Sequence, residues 1–233
     1  MSRRIEDMLQ NVPQEYREGA DEVIRVARRE LPETFETGAP PVDLRQQTYD
    51  LLRLVREPSA EEREALAKKR IVFLPIETKS YVQVVTEDPA YFWDGELEYA
   101  SRPALRDYVL PVATEVGLKP TELALPGSFD RSQANQLKMI EGYSQVLQAE
   151  FPAARAIMLP VTGYTQADKA YKERTGELLF RNYFARALDM LSGVNAAYAG
   201  RYGSSWRFFV NDWDAGRGLA HVGAVPAVVF LRK

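Results

Sequence analysis

At Arg70 the pattern of the chain changes, and this change constrains the fold more than any other feature. Up to that point apolar residues recur at helical spacing among charged ones; beyond it β-branched and aromatic runs take over. The expected class is therefore α+β, with a helical N-terminal region over residues 1–70 and an α+β domain over 71–233.

In the first region Tyr16, Ala20, Val23, Ile24 and Ala27 mark one buried face of a helix from Gln14 to about Glu30, which Pro32 ends. Glu36–Pro41 is a linker, since its adjacent prolines offer no backbone donors. A second helix is expected to start near Asp43, as its cap, and to turn Leu44, Leu51, Leu52 and Val55 toward a partner. Ser59–Glu62 has the capping-box pattern and opens a third, ending near Lys69. These helices read as a packing or self-association element without chemistry of its own.

In the second region Ile71–Ile76 and Tyr81–Val85 read as the strands of a hairpin joined through Glu77–Lys79, followed by an aromatic packing cluster at Tyr91–Trp93. Ser101 is expected to cap a helix with Pro103 in its first turn, a kink at Pro111, and Leu105, Tyr108, Val109, Val112 and Val116 as its stripe. After a loop over Leu118–Asp130, Asp130 or Ser132 caps a helix through Gln148. Ala156–Leu159 is a short buried strand ended by Pro160, and Thr165–Thr175 a helix closed by Gly176. The run Leu179–Leu191 fits either helix or strand. Trp206–Val210 and Val225–Leu231 are strands flanking an irregular, exposed loop over Asp212–Gly218.

A chain of 233 residues with this apolar fraction buries a real core. Its net charge of −3, with both signs interspersed, gives no reason to expect nucleic acid as a partner. The absence of cysteine excludes disulfides, thiol catalysis and thiolate metal sites. With no secretory signal and no apolar run of membrane-spanning length, a soluble protein without membrane insertion is expected, cytoplasmic or associated with a phage or virion.

The lone histidine, His221, has no second histidine to share a metal and no nucleophile motif beside it. Asp212 and Asp214 lie two apart, so an extended segment would put both carboxylates on one face, a start toward a hard-cation site whose remaining oxygen ligands are not evident. The dinucleotide, P-loop, metalloprotease and Gly-x-Ser-x-Gly motifs are absent. What remains is the aromatic and polar density from Tyr198 to His221, the residue mixture favoured at recognition surfaces.

The end of the chain resembles the closing part of the C-type-lectin-like fold of formylglycine-generating-enzyme-like domains and of the variable proteins of diversity-generating retroelements. The matching features are Gly203–Trp206, the polar turn with Asn211 and Arg217, the strand Gly223–Phe230, and Leu159–Pro160 leading into a helix with Tyr164 and Ala167. Val161 stands where threonine is usual. The resemblance covers at most Ala156–Lys233. It implies a mixed, mainly antiparallel domain that displays changeable side chains to a protein or cell-surface ligand and needs no cofactor. The copper-dependent oxidase chemistry of the family's enzyme branch requires cysteine, so only the binding branch fits.

On that reading the contact residues are Tyr198, Tyr202, Trp206, Phe208, Asn211, Trp213, Asp214, Arg217 and His221. Two rivals are a structural or assembly protein, with these residues as subunit contacts, and a small hydrolase using His221 with Asp212 or Asp214.

Overall fold

The computed structural model describes residues 44–181, 183–201 and 207–232. The helix expected over residues 14–30, its linker and the Asp43 cap lie outside these residues. Within them the chain is α+β, with sheets that are mainly antiparallel.

The larger sheet holds β1 (Val55–Arg56), β2 (Val72–Ile76), β3 (Thr114–Leu118), β4 (Ala154–Ile157) and β9 (Ala227–Leu231). The C-terminal strand β9 is its centre. One edge of β9 takes β4, with Ile157 opposite Ala227; the other takes β3 at Val228 and then β1 at Phe230 and Leu231. Alternation along β9 gives this sheet two buried faces: Ala227 and Val229 enter one core, Val228 and Phe230 another. Helix α6 (Gln133–Glu150) covers the second face with Ile140 and Leu147, and Ser132 caps it by accepting the Asn135 N–H.

Helix α7 (Val161–Thr175) occupies the space between the larger sheet and the smaller one, and every residue from Val161 to Asp168 is buried. The smaller sheet runs β7 (Phe209–Asp214), β6 (Asn195–Gly200), β5 (Phe184–Met190), β8 (Val222–Gly223), antiparallel except for the β5–β8 pair. Its inward face is made of Ala185, Ala187, Ala197 and Ala199, side chains short enough to let α7 approach closely.

Two helices precede the first long strand. Helices α1 (Leu44–Arg53) and α2 (Ala60–Lys68) form as expected, α2 behind the Ser59–Glu62 capping box. Leu52 and Leu66 are fully buried in the two cores, and Val42–Lys233 is one compact unit. The helices before Arg70 thus pack into the same cores as the strands after it.

The structure corrects several local expectations. Tyr81–Val85 is not a strand but part of α3 (Tyr81–Glu87), because Ser80 and Gln83 form a reciprocal capping box and Tyr81, Val84 and Val85 bury one helical face. The long helix expected after Ser101 is reduced to the single turn α5 (Pro103–Arg106), Ser101 instead closing the preceding short helix α4 (Glu96–Ala100), while Val116 belongs to β3 opposite Leu74. Helix α7 begins at Val161 rather than behind a Thr165 cap, and the cap comes from a strand: the Asp189 carboxylate accepts the Val161 N–H at 2.6 Å. Its end is as expected, with Gly176 at φ 74°. The residues left open at 179–191 contain β5, and the strand expected over Trp206–Val210 lies at Phe209–Asp214.

Candidate functional site

The smaller sheet has one face committed to α7 and another that is only partly covered. Register across β5, β6 and β7 sets that second face out in rungs. One rung is Phe184–Gly200–Phe209, which Val222 of β8 extends on one side. The next is Arg186–Tyr198–Asn211, and past a bulge in β5 comes Met190–Ala196–Trp213. Gly200 has to be glycine, since a Cβ there would stand 2.6 Å from the Tyr183 carbonyl oxygen.

Cover is uneven across this face. Phe184, Arg186 and Val222 are buried beneath the start of α6 and the turn that follows β7, whereas Asn211 and Trp213 are exposed on the far strand. The covering turn is pinned on both sides: Gln133 N–H donates to the Ala215 carbonyl at 2.9 Å and Asp130 N–H to the Leu219 carbonyl at 3.2 Å. Gly218 lies against the Asp130 backbone where no Cβ fits. At the open end Trp93, brought in by the segment before α4, stands edge-on to Phe209 at 6.2 Å and is 46% exposed. Phe209 in turn packs on Phe184 at 4.9 Å, and Phe184 on the His221 ring at 5.4 Å. Trp93, Phe209, His221, Asn211 and Trp213 thus make a half-open aromatic and polar surface.

The residues expected to form a contact set divide accordingly. Asn211, Trp213, Arg217 and His221 lie on or beside this face, and Tyr198 sits in its middle rung but is buried, its ring 5.1 Å from Phe184. Asp214, which alternation puts on the other side of β7, is held by the Gly216 N–H at 2.8 Å and by Arg217. Phe208 is not a contact residue: it is fully buried on the inward side, packed against Tyr91, Phe92 and Phe180. Tyr202 and Trp206 lie outside the described residues, as does the Gly203–Trp206 motif.

The acid–base set is not assembled. His221 leads into β8 and Asp212 lies in β7, at opposite edges of the sheet and about 14 Å apart by strand spacing. The Asp212 carboxylate also points away from the open face, accepting from the Tyr99 hydroxyl at 2.8 Å and the Asn195 amide at 2.7 Å. Among the described residues no three acidic or imidazole groups come together as a metal would require.

The edge strand is closed by groups from the N-terminal half. Phe208 N–H donates to the Tyr91 carbonyl, Val210 N–H to the Glu96 carboxylate at 3.3 Å, and Trp93 N–H to the Phe208 carbonyl. Such cover blocks edge-to-edge pairing and fixes β7 in place. Burial pushes the Glu96 carboxyl up to about 7, against the hydrogen bonds from Tyr81 and Val210 that favour its charged form.

Sequence reasoning missed Trp93, Phe209 and Arg186. Trp93 reads as packing because the strand that receives it is more than a hundred residues away in sequence. Arg186 had a signal, a single cation between Ala185 and Ala187 in an apolar run. No family model, curated protein or solved structure matches the chain.

Proposed function

We propose that this protein is a non-enzymatic binding or display protein of the C-type-lectin-like kind, which meets a protein or cell-surface ligand through the open face of its smaller sheet. The observation that carries the reading is the joining, on one face, of Trp93, Phe209, His221, Asn211 and Trp213, residues from distant segments that no core requirement forces to the surface. The opposite face of the same strands supplies the packing against α7, and on the open face Phe184, Tyr198 and Val222 form a small core with Phe209 against it, so it is the exposed side chains there, Asn211 and Trp213 among them, that are free to vary with little effect on folding.

The test is a library randomised at Asn211, Trp213, Arg217 and His221, displayed on cells and sorted first for folded protein. Most members are expected to display at the parental level, and selection against a model protein such as lysozyme to yield binders. Loss of display in most members would make these residues structural and end the proposal. Concentration-dependent light scattering of the parent, abolished by Trp213→Ala, would instead favour the assembly reading.

A further inference from the structure

We propose that Arg186 anchors a carboxylate-binding subsite at the covered margin of the open face, taking ligands in which a carboxylate is joined to an aromatic or apolar body. The inference rests on the binding role proposed for that face and names the chemistry the face would recognise.

Two arginines in the described residues are among the largest fully buried side chains, Arg186 and Arg201. Arg201 has its counter-charge, an ion pair with the equally buried Asp168. Arg186 has none. Its Nε donates to the Gln136 amide oxygen and its Nη2 to the Arg217 carbonyl, both neutral acceptors at 3.3 Å, the long end for such bonds. Its Nη1 is buried without a hydrogen-bond partner. The carboxylate whose field reaches it, Asp214, is engaged by Gly216 and Arg217 rather than by Arg186.

A guanidinium keeps its charge in a protein, and a buried charge is ordinarily paired. The surroundings sharpen the mismatch. Gln136 lies in the first turn of the 18-residue helix α6, whose positive end adds to the unbalanced charge. One anion would neutralise both. The Nε is already given to Gln136, and the terminal Nη1–Nη2 side of the guanidinium is one of its two edges that can bind a carboxylate in bidentate fashion. One of its nitrogens is unused and the other holds a long bond to a carbonyl in an exposed turn, which an entering carboxylate oxygen would replace. Beside the anchor, along the same face, run Tyr198, His221 and the Phe209–Trp93 pair, apolar area for the body of the ligand.

The test uses the full chain and two probes of one shape, phenylacetate and its neutral amide, phenylacetamide, titrated at constant ionic strength and followed by backbone and indole amide NMR shifts. Phenylacetate is expected to shift the Arg217–Val222 amides and the Trp213 indole saturably, and the amide to bind at least tenfold more weakly. Arg186→Met should remove that preference while leaving the melting temperature unchanged or raised, since an apolar chain of similar length replaces an unpaired buried charge. Equal affinity for acid and amide overturns the subsite and leaves the open-face reading standing. Shifts from neither probe overturn the subsite, and the open-face reading is then decided by the library selection alone. A marked fall in the melting temperature of Arg186→Met with acid preference intact makes Arg186 a structural residue and also overturns the proposal. The comparison of acid with amide needs no variant, so the idea stays testable should Arg186→Met fail to fold.

Discussion

Replacing Glu96 by glutamine should make the protein more stable at high pH and leave it nearly unchanged at low pH. Glu96 is 6% exposed, and it receives the Tyr81 hydroxyl at 2.8 Å and the Val210 N–H at 3.3 Å. Burial outweighs these two donors and lifts the carboxyl from 4.5 to about 7 in the folded protein. The unfolded chain releases this proton near pH 4.5 and the folded chain near pH 7. Between those values the folded state therefore holds more protons than the unfolded state, and stability falls as pH rises through the window. At about 1.4 kcal/mol per unit, the loss accumulated by pH 8 is on the order of 3 kcal/mol. Glutamine keeps an oxygen for both donors and carries no titrating proton. The difference in unfolding free energy between Glu96→Gln and the parent, from urea melts at half-unit steps from pH 4.5 to 8.5, cancels the titrations of other groups. It should climb by that amount, mostly between pH 5 and 7.5. A difference that stays flat with pH, or that falls, refutes the argument, because it would mean that the carboxyl is either well hydrated or stabilised as the anion.

Other perturbations separate the two faces of the smaller sheet and the buried ion pair. Phe208→Ala should cost roughly 3–5 kcal/mol in denaturant melts by opening a cavity among Tyr91, Phe92 and Phe180. Trp213→Ala should cost less than about 1 kcal/mol in the same assay. Asp168→Asn removes the partner of the buried Arg201 and weakens the acceptor of the Leu179 and Phe180 N–H groups, so a loss of about 3–5 kcal/mol is expected. Asp189→Ala leaves the first N–H of α7 and the Arg45 guanidinium without their carboxylate, which by calorimetry should cost about 1–3 kcal/mol.

The sequence was most legible where an element is specified by its own residues. Ser132 with the Leu137–Leu147 stripe, the Ser59–Glu62 box, Gly176 and the closing apolar run each appear where their local chemistry puts them. At Tyr81–Val85 two local signals conflict. β-branched residues favour a strand and the Ser80–Gln83 box a helix, and the spacing of Tyr81, Val84 and Val85 resolves the conflict toward helix. The start of α7 was marked by Leu159–Pro160 but misplaced at Thr165, a local cap, because its cap is a strand residue 28 positions along the chain. The site was half legible. The aromatic and polar mixture picked out Asn211 and Trp213, although they lie in a strand and not at or in the expected loop, but a single strand does not reveal which of its faces a helix will cover, so the buried Phe208 was counted among the contact residues.

That choice of face follows from side-chain size in the neighbouring strands. β5 and β6 present alanines on one side, at 185, 187, 197 and 199, and Phe184, Arg186 and Tyr198 on the other. A helix packs closely only where the sheet surface is low, so the alanine side receives α7, and Phe208 and Val210, with the same parity, are drawn into that core. The bulky side then has to be covered by something other than a helix laid flat. Its β8 and β5 margin is covered by the first turn of α6 and the turn after β7, with Tyr198 of β6 buried beside it. Cover therefore ends between Arg186 and Asn211, inside a single rung of the sheet. A ligand with one charged end and one apolar end fits such a boundary better than a uniformly polar or uniformly apolar ligand, since the buried cation lies on one side of it and the half-exposed aromatics on the other.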